Sequence, residues 1–297
     1  MKIGFHIIGS KGLQALQAFV DAFGGGAIAY VVAARDGAIQ YDAFDDIASY
    51  CSDSDISFVE RGKALPGGLP RCDAKFAIGW RWLIDDAENL VVFHDSPLPR
   101  YRGFAPLVNM LVDGCGEIAV TALLASAEYD RGDIVAQAAL PVDYPLKISE
   151  AIDMAATLYA RLAVDVGSAI QAEGTLKGVP QNDGDASYSL WRDELDYRID
   201  FSRSADEVCR FIDAVGYPYN GASASVNGSL VRVLDAVPVA DVRVENRAAH
   251  IGKIIFFEAT LPVIVCGSGL LKVTDLRDSQ GEPMLGKLKF RTRFEGC

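Results

Sequence analysis

The 297-residue chain is poor in histidine, in paired cysteines and in clustered positive charge. Only His6, His94 and His250 are present, so any imidazole chemistry falls to one of three positions. Six cysteines, at 51, 72, 115, 209, 266 and 297, never stand in CxxC spacing. That argues against a zinc ribbon or a thioredoxin-like dithiol, and no metal is expected. The 28 basic residues face 40 acidic ones, a formal net charge of −12, and no run of lysines and arginines relieves it. Such a chain repels a polyanion, so nucleic acid is not an expected partner. No apolar stretch reaches the length of a membrane span, so no membrane partner is expected either. "MKIGFHIIGSKG" lacks the basic start and cleavage site of a secretory signal and reads as a first strand. With scattered free thiols, this places the protein in a reducing cytoplasm. The "GSKG" loop lacks the GxGxxG fingerprint, against a dinucleotide enzyme.

What is present is half hydrophobic, enough for a sizeable core without staples. "KIGFHIIG", "AIAYVVAA", "ISFV", "KFAIGW" and "NLVVFH" read as short strands. Leu13, Leu16, Val20 and Phe23 fall at helical spacing between the first two, and "YDAFDDIASYC" predicts a second helix. "FAPLVNMLVDG" predicts a third, closed by Gly114. This βαβ rhythm predicts a Rossmann-like, parallel-rich α/β sheet with helices on both faces. "GEIAVTALLAS" and "GDIVAQAALPV" add two strands, and a long helix follows, with Ser149 as its cap and Gly174 as its end. "KGVPQNDGDASYS" is rich in turn-formers. Beyond it, a helix with Val208, Phe211, Ile212 and Val215 on one face precedes short β runs, with a hairpin turn at Asn227-Gly228. The expected division is an α/β domain over 1–177, a linker over 178–204 and a smaller β-rich, barrel-like (OB-like) domain over 205–297.

One stretch concentrates chemistry: "VVFHDSPLPRYRGFAPL", Val91 to Leu107. His94 ends a strand, where open α/β sheets build their sites. Pro97 and Pro99 stiffen the loop, Arg100 and Arg102 suit an anion such as a phosphate, and Gly103 frees the backbone. Further on, "SAEYDRGDIVAQ" puts Asp130 in a turn between strands, ahead of Gly132. A carboxylate there can orient an imidazole in a general acid–base pair, although an aspartate near a glycine is more often only a turn.

Taken in order, "HDSPLPRYRGFAPL", "GEIAVT" and "AEYDRGDIVAQ" resemble the 10-formyltetrahydrofolate-dependent formyltransferases, a family spanning methionyl-tRNA formyltransferase and the nucleotide-sugar N-formyltransferases. "WRDELDYRIDFSRSADEVCRFIDAVGYPYNGA" and "GLLKVTDLRDSQGEPMLGKLKFRTRF" resemble the family's second domain, so the likeness covers nearly the whole chain. The resemblance implies formyl transfer from 10-formyltetrahydrofolate, as co-substrate, to a primary amine. It makes His94 and Asp130 catalytic and puts Ser96, Arg100, Arg102 and Gly103 on the substrate side. The pterin would lie against Trp80, Trp82, Leu83 and Ile84, with contacts near Asp130. The family asparagine two residues before the histidine is Val92 here, which removes a donor to the developing oxyanion. Two alternatives follow from that departure: a non-catalytic folate- or nucleotide-sugar-binding member, and a formyltetrahydrofolate hydrolase. The acidic stretch "RDGAIQYDAFDDIASYCSDSD" argues against a tRNA acceptor and for a small amine, foremost a nucleotide-linked amino sugar. A homodimer built on the β-rich domain is a further expectation of the resemblance.

Overall fold

The computed structural model describes residues 1–37, 41–63 and 67–297; residues 38–40 of the acidic stretch and residues 64–66 lie outside the described residues. The chain forms two compact units. The first comprises Met1–Met110, Gly116–Val142 and Glu150–Leu190, and the second Leu111–Cys115, Asp143–Ser149 and Trp191–Cys297.

In the first unit the chain runs β1 (Ile3–Ile7), α1 (Gly9–Phe23), β2 (Ile28–Ala33), α2 (Phe44–Asp53), β3 (Phe58–Glu60), β4 (Ala74–Ile78) and β5 (Leu90–His94). It continues through β6 (Arg102–Gly103), α3 (Pro106–Asp113), β7 (Glu117–Leu124), β8 (Ile134–Pro141), α4 (Ile148–Glu173) and β9 (Tyr188–Ser189), with the last three residues of α3 and the first two of α4 assigned to the second unit. Seven strands form one sheet in the order β3-β2-β1-β4-β5-β7-β8. It is parallel from β3 to β5, and β7 and β8 join antiparallel.

The sheet's two faces differ in chemistry because the strands alternate. On one face Phe5, Phe76 and Phe93 meet edge to face, at 5.3 Å between successive rings, and α1 adds Phe19 at 5.3 Å from Phe5. These four rings are almost wholly removed from water. Each such burial stabilises the fold by about 1.5–3 kcal/mol. Tyr159 of α4 packs on Phe93, and Phe44 of α2 packs on Phe58, so α1, α2 and α4 all lie on this face. The other face carries His6, Tyr30, Val32, Val59 and Lys75. Helices on both faces were expected from the βαβ rhythm. Among the described residues, however, the β3–β4 and β4–β5 connections contain no helix. The reason is local: the β4–β5 connection has no amphipathic period long enough for one.

Two caps differ in outcome. Gly174 ends α4 in the left-handed conformation, as its position predicts. Ser149 is not a cap: α4 already begins at Ile148, one residue earlier.

The second unit holds α5 (Ala205–Ala214), β10 (Ala222–Val226), β11 (Ser229–Val239), β12 (Ile254–Glu258), β13 (Leu261–Val265), β14 (Leu270–Asp278) and β15 (Phe294–Glu295). Its antiparallel sheet runs β12-β13-β14-β11-β10-β15. Asn227 and Gly228 both take positive φ, the geometry of a tight hairpin between β10 and β11. The sheet curls until its ends meet: Lys253 bridges Arg293, and the Phe294 N–H donates to the Gly252 carbonyl at 2.7 Å. That is the barrel-like closure expected of short, evenly spaced strands. α5 starts with a capping box, Ser204 and Glu207 satisfying each other's backbone N–H groups. Val208, Ile212 and Val215 are buried as the helical spacing predicts.

Candidate active site

His94 is the last residue of β5, paired in register with Thr121 of β7. Thr121 is fully buried and holds the loop that follows His94. Its hydroxyl donates to the Ser96 carbonyl at 2.6 Å and accepts from the Leu98 N–H at 3.2 Å and the Gln137 amide at 2.6 Å. The Ser96 hydroxyl donates to the Arg100 carbonyl at 2.8 Å, and the Leu98–Pro99 peptide is cis. The loop after the histidine is thus held by hydroxyls as well as by prolines.

The loop returns Tyr101 beneath the imidazole. His94 Nε2 lies 2.8 Å from the Tyr101 carbonyl oxygen. A carbonyl only accepts, so Nε2 carries a hydrogen and Nδ1 is the nitrogen left for other chemistry. Nδ1 faces Asp130 Oδ1 at 3.5 Å. Both side chains are largely buried. This distance exceeds that of a formed charge-assisted hydrogen bond but lies within strong Coulombic reach.

Asp130 sits in a turn with φ 55°, left-handed for a side chain that tolerates it. Its Oδ2 accepts the Gly103 N–H at 2.8 Å. The glycine in each half of this site has a steric cause. A Cβ on Gly132 would fall 1.7 Å from the Leu124 carbonyl oxygen, and one on Gly103, at φ 103°, would fall 2.5 Å from that of Ser189. The Arg-Gly and Asp-x-Gly spacings therefore record two close backbone approaches that aim one carboxylate at one imidazole.

The expected substrate-side residues separate. Arg102 is buried and fully engaged: Nε and Nη2 donate to Gln181 Oε1 at 3.1 and 2.8 Å, and Nη1 donates to Asp183 at 2.8 Å. It is a structural strut, not an open cation. Arg100 is about half exposed, with Glu117 at 3.1 Å, and remains accessible to an anion.

Trp80, Leu83 and Ile84 line a cavity of about 1180 Å³ on the sheet face bearing His6, Tyr30, Val32, Val59 and Lys75. Trp82 packs edge-on against Trp80 at 5.2 Å and lies under the Arg61 guanidinium. His6 meets both Tyr30 and Trp80 edge to face. Burial, reinforced by the Lys75 ammonium, lowers the pKa of His6 to about 4. Neither His94 nor Asp130 borders this cavity.

Sequence reasoning missed several supports. Lys11, just after β1, pairs with Asp95 at 2.5 Å. Burial opposes ionisation of Asp95, yet the Lys11 ammonium, the Tyr159 hydroxyl and His94 together outweigh it and hold the carboxyl below its usual range. Burial and that carboxylate push the neighbouring Tyr159 hydroxyl well above its ordinary value. A lysine in the first turn of α1 beside an acid after the histidine has no local signal, because the partners are distant in sequence. Gln181, in the turn-rich stretch, was equally silent. Among the described residues no cluster of His, Cys, Asp and Glu could hold a metal ion, and no helix is long and apolar enough to cross a membrane.

Comparison with known proteins accords with these elements. The formyl transferase model matches residues 82–163, which carry His94 and Asp130, and the formyl transferase C-terminal domain model matches residues 193–292. Methionyl-tRNA formyltransferase of Heliobacterium modesticaldum is 29% identical over 209 residues, 68% of this chain and 65% of that protein. The Dechloromonas aromatica enzyme of the same name is 32% identical over 193 residues, 64% of this chain and 58% of that protein. The chain thus matches less than two thirds of the length of these relatives. Among solved structures, WlaRD, a sugar 3N-formyl transferase, superposes with TM-score 0.64 at 17% identity, covering 92% of this chain and 97% of that one. An N-formyltransferase from Helicobacter canadensis, solved with folinic acid and dTDP-3-aminofucose, superposes with TM-score 0.68 at 15% identity, covering 92% and 99%. The two family models follow one another in the order of the two units, and on that match the chain belongs to the formyl transferase family.

Proposed function

We propose that this protein transfers a formyl group from 10-formyltetrahydrofolate to the primary amine of a small molecule, specifically a nucleotide-linked amino sugar. The observation that carries the reading is the His94–Asp130 pair at the carboxyl end of β5, with Nδ1 facing the carboxylate and Nε2 fixed on Tyr101. A neutral amine attacks the formyl carbon, forming the new C–N bond. The bond from that carbon to folate N10 breaks, and the amine's proton ends on N10. His94 is the group that moves this proton, and Asp130 stabilises the imidazolium while it does so. The folate's pterin is assigned to the aromatic-walled cavity at Trp80, Leu83 and Ile84, with Trp82 supporting Trp80. Arg100 is assigned to the acceptor's phosphates.

The small-molecule acceptor is favoured by the net charge of −12 and by α2, whose first turn carries Asp45 and Asp46. The Helicobacter canadensis structure with a dTDP-linked amino sugar supports the same choice. The relatives named for methionyl-tRNA make tRNA the competing acceptor. The test is incubation with 10-formyltetrahydrofolate and, separately, dTDP- and UDP-linked amino sugars and methionyl-tRNA, reading the formylated product by mass spectrometry. A formylated sugar nucleotide supports the proposal. Formyl-methionyl-tRNA as the sole product replaces the acceptor, and no product with any amine favours the non-catalytic reading.

A further inference from the structure

Gln181 lies in the turn-rich stretch after α4, yet its amide is the hub of the site's backbone. Its Nε2 donates to the Asp130 carbonyl and to the Gly132 carbonyl, both at 2.8 Å. Its Oε1 accepts two N–H groups of Arg102. The orientation is unambiguous, since the reversed amide would set its donors against a guanidinium and its oxygen against two carbonyls. The surrounding strap is bonded to both halves of the site. Val179 pairs with Ile134 just after the Asp130 turn. The Ser187 hydroxyl accepts the Tyr101 N–H at 2.9 Å, and β9 pairs with β6. Asp183 joins the same network through Arg102 and Arg131.

We propose that Gln181 is a positioning residue that acts through Asp130: its amide fixes the left-handed peptide at the turn and thereby aims the carboxylate at His94. This rests on the formyl-transfer reading for its kinetic consequence, but not for its geometric one. Asp130 holds a left-handed φ, which aspartate tolerates but which costs free energy unless neighbouring bonds fix it. Of the two hydrogen bonds from Gln181, one ends on the carbonyl of that very residue. Without it, the peptide relaxes and the carboxylate swings from Nδ1, while the pterin cavity, which does not include this turn, keeps its shape.

The test uses the full chain and two variants, Gln181→Ala and Gln181→Glu, the second keeping length and the Arg102 pairing while opposing an oxygen to two carbonyls. Only three histidines are present, so the ring-nitrogen resonances of His94 can be assigned with His94→Gln. Both variants are expected to displace those resonances in the same sense as Asp130→Asn, with unchanged circular dichroism. The kcat is expected to fall about 100-fold with KM for the folate within about threefold. In an Asp130→Asn background, Gln181→Ala is expected to add no further loss. Asn182→Ala, one residue along the strap, should leave the resonances in place. Unmoved His94 resonances in folded Gln181→Ala, or a loss that simply adds to that of Asp130→Asn, overturns the inference. Moved resonances in a protein that formylates no amine uphold the positioning role and reject the function proposed above.

Discussion

His94 Nδ1 and Asp130 Oδ1 face one another at 3.5 Å, brought together from the end of β5 and the turn between β7 and β8. The carboxylate's second oxygen also accepts the Gly103 N–H. In Asp130→Asn the amide oxygen can take over the Gly103 N–H, while a neutral NH2 donor replaces the charged oxygen opposite the imidazole. Steady-state kinetics should show kcat lower by about 10²–10⁴. Thermal unfolding should move little. A variant with wild-type kcat would take Asp130 out of the chemistry.

Val92 shares the strand face of His94, two residues away, and offers no donor where the family's sequence pattern has asparagine. A donor to a developing oxyanion is worth about 10²–10³ in rate. Val92→Asn is therefore expected to raise kcat or leave it unchanged. A fall of tenfold or more would mean that the pocket is built around the valine.

Arg100 is the exposed cation of the loop, with Glu117 as its partner. An exposed pair contributes at most about 1 kcal/mol, so Arg100→Ala should leave the melting temperature nearly unchanged. If the guanidinium meets the acceptor's phosphates, KM for that acceptor should rise about tenfold, the loss of one charge-assisted contact. An unchanged KM would remove Arg100 from the substrate site.

His6 links pH to stability. Burial and the Lys75 ammonium lower its pKa from 6.5 to about 4 in the folded protein. Between those values the unfolded chain binds the extra proton, so stability falls as pH drops through that window. The contribution of His6 is fully present above pH 6.5 and shrinks by about 2 kcal/mol between pH 7.5 and 5. Urea unfolding at both pH values should show this loss in the wild type and its absence in His6→Gln. An identical pH dependence in the two proteins would contradict a buried neutral imidazole.

Gly132 touches the Leu124 carbonyl so closely that a methyl group cannot fit, whereas Gly116 has open space around it. Gly132→Ala should cost about 1–3 kcal/mol by urea unfolding. Gly116→Ala should stay within about 0.5 kcal/mol. Equal effects would mean that the turn can open without penalty.

Much of this was legible in the chain because the signals were local. Alternating apolar runs announced the strands, Asn227-Gly228 announced its hairpin, and His94, Gly103, Asp130 and Gly132 stand in short motifs whose spacing records backbone approaches. What stayed hidden depends on partners distant in sequence. Arg102 looked like an anion-binding cation until Gln181 and Asp183 closed around it. Lys11 and Asp95 give no hint of each other until β1 and β5 share a sheet. The β3–β4 and β4–β5 connections carry no helix among the described residues, because rhythm reports the order of strands, not whether each connection has length and apolar period enough for a helix.

The most direct measurement is release of tetrahydrofolate from 10-formyltetrahydrofolate, followed with and without a dTDP-linked amino sugar, for wild type and His94→Ala. The proposed function predicts release that requires the amine and falls by at least about 10² in the variant. Release at the same rate without any amine, or release untouched by His94→Ala, would contradict it.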